Sequence, residues 1–120
     1  MTVRVRQGGQ WKVVSGSTVS SLEVNLVSSA YTLSNSDIGK FVKVTGSNNI
    51  TVPQSTFVTG QMTTIYNDDS SSLTIVQGTN VILRVPGTTD TGDRTLQQRG
   101  LATILCVGAN EFAITGSGLL

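Results

Sequence analysis

The sequence predicts an all-β protein, a single compact β-sandwich or squashed β-barrel of about eight antiparallel strands with an N-terminal β-hairpin arm. Short runs of β-branched and aromatic residues recur along the chain, separated by Gly, Asn, Asp and Ser. No window repeats apolar residues at helical spacing over three turns. At 120 residues, the chain has room for one domain with its own core.

The predicted arm, residues 1–17, is a hairpin with Gly8-Gly9 as a two-residue turn between VRVRQ and QWKVV. Its register places Arg4, Arg6, Trp11 and Val13 on one face. The other face receives Val3, Val5, Lys12 and Val14. Neither face is cleanly apolar, and a lone two-stranded ribbon is marginal in water. We therefore expect the arm to add to, or dock on, a neighbouring subunit.

The stretch SGSTVSS, residues 15–21, is a predicted flexible connector, and residues 18–120 form the body. Eight runs predict the strands of the body: LEVNLV, FVKVTG, NITV, QMTTIYN, SLTIVQG, VILRV, LATILCV and EFAIT. In the first run, Leu22, Val24 and Leu26 are expected to share one face, and the polar residues between them the wet face. One helical turn is expected at NSDIGK, capped by Ser36 or Asp37 and ended by Gly39.

Two later runs, VILRV and LATILCV, place apolar side chains on both faces of their strands. Such strands are either central in the sheet or covered by another subunit. Cys106 lies between apolar neighbours in the second run and is predicted to be a buried core residue.

A connection of 15 residues, Pro86–Gly100, has no hydrophobic period. Connections of that length are usually functional or disordered, so this one is either a mobile crossover or a segment that orders against a partner. Trp and Arg are the residues that dominate interfaces. The predicted partner-contact residues, on the arm and in this connection, are Val3, Arg4, Val5, Arg6, Trp11, Val13, Asp93, Arg94 and Arg99.

The residue types predict no catalytic, cofactor or metal site, and therefore no enzyme. The chain has no His, which removes Ser-His-Asp and Cys-His arrangements and most catalytic zinc sites. GSG near the C-terminus lacks the lysine and the helix of a phosphate-binding loop. Asn67–Asp69 and Asp90–Asp93 are either turn residues or oxygen ligands for calcium, and their spacing favours turns.

A net charge of +1 with eight Lys and Arg predicts no nucleic-acid partner and no acidic membrane surface as partner. Only 12% of residues are charged and roughly a quarter are Ser or Thr, which favours a surface packed against neighbours. The N-terminus has no basic-then-apolar leader, so we expect synthesis and storage in a cytosol.

Residues 31–120 resemble a module of tailed-bacteriophage virion proteins, especially tail, fibre-associated and capsid-decorating proteins. The matching segments, in order, are YTLSNSDIGKFVKV, ITVP, GQMTTIYND, LTIVQGTNVIL and LATILCVGANEFAITGSGL. The arm VRVRQGGQWK resembles short arms on such proteins. The terminal strand of the family often carries a Trp where Phe112 stands here.

The resemblance implies a structural protein of a symmetric, commonly trimeric assembly without catalysis. The favoured interpretation is a homotrimeric capsid cement or decoration protein, assembled into a virion in the host cytoplasm, with the major capsid protein or tail proteins as partners. The first alternative is a tail-tip or tail-fibre adaptor. The second is a host-surface glycan- or receptor-binding module.

Overall fold

A computed structural model describes residues 21–120 in full and the backbone of Val3–Gln7 and Gln10–Val14. These residues form strands, turns and one short 3-10 turn, Asn35–Asp37. The predicted all-β class is confirmed, and the sheet of the body curls into a nearly closed barrel.

Strands β1 (Val3–Gln7) and β2 (Gln10–Val14) form a separate antiparallel pair. Val3 lies opposite Val14, and Arg6 lies opposite Trp11, which is the register expected from the Gly-Gly turn. The predicted connector and the boundary at residues 17 and 18 fall within residues 15–20, outside the described part of the chain.

Nine further strands form the sheet of the body. They are β3 (Val24–Val27), β4 (Tyr31–Thr32), β5 (Phe41–Val44), β6 (Ile50–Val52), β7 (Met62–Asn67), β8 (Leu73–Gln77), β9 (Ile82–Arg84), β10 (Arg94–Gly108) and β11 (Glu111–Leu119). Six of the eight predicted runs contain one of these strands, and LATILCV and EFAIT lie within the longer β10 and β11. The two-residue strand β4 has no counterpart among the predicted runs.

The expectation that the strands pair antiparallel is wrong for most of the sheet. β3, β5 and β7 form one parallel stack, and β4, β6 and β8 form a second one. From β3 to β8, successive strands alternate between the two stacks. Each strand therefore pairs with the strand two places further along the chain, and the two strands run in the same direction. β9 is also parallel to β11, whereas the pairs that β10 makes are antiparallel.

Strand β10 joins the two stacks. Arg94–Leu96 pairs with β8, Leu101–Leu105 pairs with β7, and β11 pairs along most of its length. An irregularity between Leu96 and Leu101 separates the two halves. A Cβ on Gly100 would lie 2.8 Å from the backbone carbonyl oxygen of Gln97, so a side chain there would force the backbone to shift.

The expected loop Pro86–Gly100 is therefore too long, because residues 94–100 belong to β10. Leu96 is fully buried and lies opposite Leu73 and Leu119. Leu96, the one buried leucine among polar residues, anchors this half of the strand. A single apolar residue gives no alternating pattern, so the sequence does not predict a strand here.

The core lies between the stacks and consists mainly of inward-facing Val, Ile and Leu. Phe57 and Phe112 pack edge to face, with ring centroids 5.8 Å apart. Cys106 is buried, as predicted, and its Sγ lies 3.2 Å from the carbonyl oxygen of Gly108.

Strand β3 reverses the expected orientation of its side chains. Val24 and Leu26 are 50% and 72% exposed, whereas Asn25 points inward. Asn25 Nδ2 donates to Oδ1 of the fully buried Asp37 at 2.9 Å, and the Tyr31 hydroxyl donates to Asp37 Oδ2 at 2.6 Å. A buried carboxylate needs such donors, and this need determines which face of β3 turns inward.

The same carboxylate organises the 3-10 turn. Ser34 precedes the turn, and its backbone N–H donates to Asp37 Oδ2 at 2.8 Å. The capping residue is thus Ser34 rather than Ser36 or Asp37. Gly39 follows with a φ of 72°, which confirms that a glycine ends the turn.

Candidate interaction surface

Five neighbouring strands, β3, β5, β7, β10 and β11, share a continuous outward face, which we call the outer face. Their registers align its side chains in rows. It consists of Val24, Leu26, Phe41, Lys43, Met62, Thr64, Tyr66, Leu101, Thr103, Leu105, Glu111, Ala113, Thr115 and Ser117. The residues between them in each strand point inward, so the two sides of this sheet are clearly separated.

Apolar side chains dominate the outer face. Leu26, Leu101 and Leu105 are 72%, 46% and 37% exposed. The rings of Phe41 and Tyr66 lie side by side, with centroids 6.2 Å apart. A central row contributes hydroxyls, and the Oγ1 atoms of Thr64 and Thr103 are 3.5 Å apart. This surface is largely apolar with a few hydroxyls, and its charged residues are Lys43 and, at the start of β11, Glu111.

Oppositely charged side chains meet along the border of the outer face. Lys43 Nζ lies 3.6 Å from Asp68 Oδ2, and Arg99 Nη1 lies 2.5 Å from Asp68 Oδ1. At the other end of the strands, Lys40 pairs with Glu23 at 3.3 Å. Between β9 and β11, Arg84 Nε donates to Oε1 of Glu111, the first residue of β11. The cations at the border are thus locally neutralised.

A turn carboxylate completes the border near Asp68. Asp69 accepts from the Ser71 N–H and the Gly46 N–H, each at 3.0 Å. These backbone hydrogen bonds, with that of Ser71 the strongest, hold the pKa of Asp69 below its ordinary value. Asp69 acts in the turn, as predicted, whereas Asn67, expected in the same turn, is the buried last residue of β7.

The second stack presents a different outward surface, which we call the threonine face. Thr51 lies between Thr32 and Val76 on the neighbouring strands. Thr74 lies opposite Thr95 of β10. Four of these five outward residues carry hydroxyls. The threonine face therefore presents a group that can hydrogen-bond to water at nearly every position.

The structure places the predicted contact residues Asp93, Arg94 and Arg99, just before β10 and in its first half, in separate surroundings. Asp93 Oδ1 accepts from the Gln77 N–H at 2.8 Å, and Arg94 Nε donates to the Asp93 carbonyl at 2.7 Å. The Arg94 side chain thus folds onto its own loop, whereas Asp93 holds that loop to the end of β8. Arg99, which has a φ of 54°, joins the border of the outer face through Asp68.

The remaining predicted contact residues belong to the arm. Their backbone lies in β1 and β2, whereas their side chains fall outside the described part of the chain. These residues are Val3, Arg4, Val5, Arg6, Trp11 and Val13.

Sequence reasoning found only part of the outer face. The run LATILCV indicated that Leu101 and Leu105 occupy a second apolar face, which is where they lie. Val24 and Leu26 were assigned inward. Phe41 and Tyr66 lie in strand runs, a position that favours the core, but both are only partly buried on the outer face.

Comparison of the chain with family models, with curated proteins and with solved structures finds no match. Among the residues that the structure describes, no helix is long and apolar enough to cross a membrane.

Proposed function

We propose that the protein is a structural component of a tailed-phage virion, a homotrimeric cement or decoration protein that stabilises the capsid by bridging its subunits. The protein would assemble into the virion in the host cytoplasm. The proposal joins the resemblance of residues 31–120 to phage virion modules with the surface properties of the body.

The outer face is the observation that carries this proposal. It combines five strands with exposed leucine, valine and methionine side chains, and its border charges are paired. Exposed apolar patches of this kind are typical of protein–protein contacts. In a cement protein, several weak contacts engaged together give tight attachment without a single strong site.

Addition of the purified protein to heads that lack decoration tests the proposal. We expect the melting temperature of the heads to rise, because bridging contacts stabilise the assembled shell relative to its separated subunits. An unchanged melting temperature would contradict the cement function. Many copies per particle on a stained gel are expected for a cement protein, whereas a few copies at the tail would favour an adaptor.

A glycan-binding module is the second candidate because Phe41 and Tyr66 place two partly exposed aromatic rings on the outer face, where Phe41 lies opposite Thr64. Aromatic rings with adjacent polar groups are common in binding sites. Loss of host-cell binding in a folded Tyr66→Ala variant would favour this candidate. Unchanged binding would argue against this aromatic pair as the platform.

A further inference from the structure

The residue types at outward positions of the threonine face can be compared with those of the outer face, because both faces belong to the same fold. Thr and Val are both β-branched and fit outward strand positions about equally well. On the second stack, outward positions are filled mostly by threonine. The fold therefore does not require apolar residues at outward positions, and the exposed Leu26, Leu101 and Leu105 need a separate physical reason.

The size of the outer face limits what it can bind. Five strands about 4.8 Å apart, each contributing about five residues at 3.3 Å, span an area of roughly 400 Å². A standard protein interface buries about 800 Å² per partner. The outer face alone is large enough for a weak contact, and stable association requires it to act together with further contacts around it.

The charge distribution selects the kind of partner. In a symmetric assembly each residue near the axis meets its own copies, so any unpaired charge there is repelled by an identical charge. Lys43 and Glu111, the charged residues of the outer face, pair with Asp68 and Arg84, and Lys40 at the border pairs with Glu23. This surface can meet copies of itself without repulsion, and it has no excess of cations to attract nucleic acid.

We infer that the outer face is the surface through which copies of this chain associate with one another. This inference rests on the homotrimer in the proposed function and assigns the contact to one side of the body. Leu101 and Leu105 pack against the same face of a neighbouring copy, and the hydroxyls of Thr64, Thr103 and Thr115 exchange hydrogen bonds across the contact. The threonine face stays outside this contact.

Light scattering on the full-length protein and three variants tests the inference. We expect the wild type to have about three times the 12.6 kDa mass of the chain. Leu101→Lys should reduce the mass about threefold, to that of a monomer, because it brings ammonium groups together in an apolar contact. In the monomer the exposed lysine can reach water, so the fold is expected to survive, as far-ultraviolet circular dichroism would verify.

Two matched controls accompany this variant. Leu101→Met keeps an apolar side chain and should retain the wild-type mass. Thr51→Lys adds the same charge to the threonine face and should retain it as well. A wild-type mass for Leu101→Lys, or dissociation by Thr51→Lys alone, would overturn the inference.

The stoichiometry and the head-binding assay separate this inference from the proposed function. A dimer that Leu101→Lys dissociates upholds the assigned surface and contradicts the homotrimer. A monomeric wild type overturns the assigned surface, and if that monomer still raises the melting temperature of the heads, the cement function stands. A trimer that leaves the heads unchanged, but that Leu101→Lys dissociates, contradicts the cement function alone.

Discussion

The outer face and the threonine face belong to similar parallel stacks, yet they differ in what they offer to their surroundings. Inside, both stacks contribute fully buried valine and isoleucine, such as Val42 and Ile65 on one side and Ile50 and Ile75 on the other. Outside, leucine, valine and aromatic side chains lie on the first stack and threonine on the second. Packing in the core therefore determines the inward residues. The outward residues do not pack in the core, and we propose that those of the first stack serve contact between subunits.

The two stacks depend on a shared polar anchor, and its removal should have the largest effect. Asn67 of β7 is fully buried, and its Nδ2 lies 3.1 and 3.0 Å from the carbonyl oxygens of Leu96 and Gln97 in β10. Asn67→Ala removes these hydrogen bonds, one of which is buried, between β7 and β10. We expect the free energy of unfolding to fall by roughly 2–4 kcal/mol, measured by urea denaturation.

Asn49→Ala is the matched control for Asn67→Ala. Asn49 is exposed, and its Oδ1 accepts from the Thr74 N–H at a long 3.4 Å, so a loss below about 1 kcal/mol is expected. Equal losses in the two variants would mean that Asn67 does not hold the stacks together.

The next prediction concerns β3, where the polar residue is inside and the apolar residue is outside. Asn25→Leu makes the strand more apolar but removes a donor from the buried carboxylate of Asp37. The free energy of unfolding should fall by roughly 1–3 kcal/mol. Leu26→Thr, which gives the outer face a residue typical of the threonine face, should change it by less than about 0.5 kcal/mol.

Thermal and urea unfolding of both β3 variants at a protein concentration low enough to keep them monomeric would check this pair of expectations. Greater stability for Asn25→Leu would show that Asp37 tolerates the loss of its amide donor. The inward assignment of Asn25 would then lose its energetic reason.

The same strand shows how far the sequence can predict this fold. Local alternation identified LEVNLV as a strand, but it could not reveal that Asp37, 12 residues beyond Asn25, lies buried against it. Parallel pairing escaped prediction for a related reason, because a strand run does not specify its partner. The β10 segment around Leu96 escaped because its one buried side chain makes no pattern.

The candidate surface was predictable where both faces of one strand are apolar, as at Leu101 and Leu105. The surface could not be predicted at Val24 and Leu26, because there the prediction depended on which face of the strand turns inward. Local sequence thus indicates that a strand has a second apolar face. Only the pairing of five strands shows that several such faces form one surface.

The smallest expected effect on stability concerns the side chains that join neighbouring turns. This side chain is charged beside the first stack and neutral beside the second. Asp69 accepts from the Gly46 and Ser71 N–H groups beside the first stack, whereas Asn49, a neutral amide, accepts from Thr74 beside the second. Because the folded pKa of Asp69 lies below its ordinary value of 3.8, its contribution to stability is fully present above about pH 4. That contribution is lost as the pH falls through the lowered pKa.

Asp69→Asn should therefore lose stability relative to the wild type at pH 6, and the difference should shrink as the pH approaches 2.5. Asn49→Ala should differ from the wild type by the same amount at both pH values, since its amide does not titrate. Urea denaturation at the two pH values measures both differences. The Asp69 effect is expected to be small because the carboxylate is exposed to solvent, and a pH-independent difference for Asp69→Asn would mean that its hydrogen bonds to the turn do not depend on its charge. In that case the turns of the two stacks would be held in the same way, and the contrast between the stacks would be confined to their outward faces.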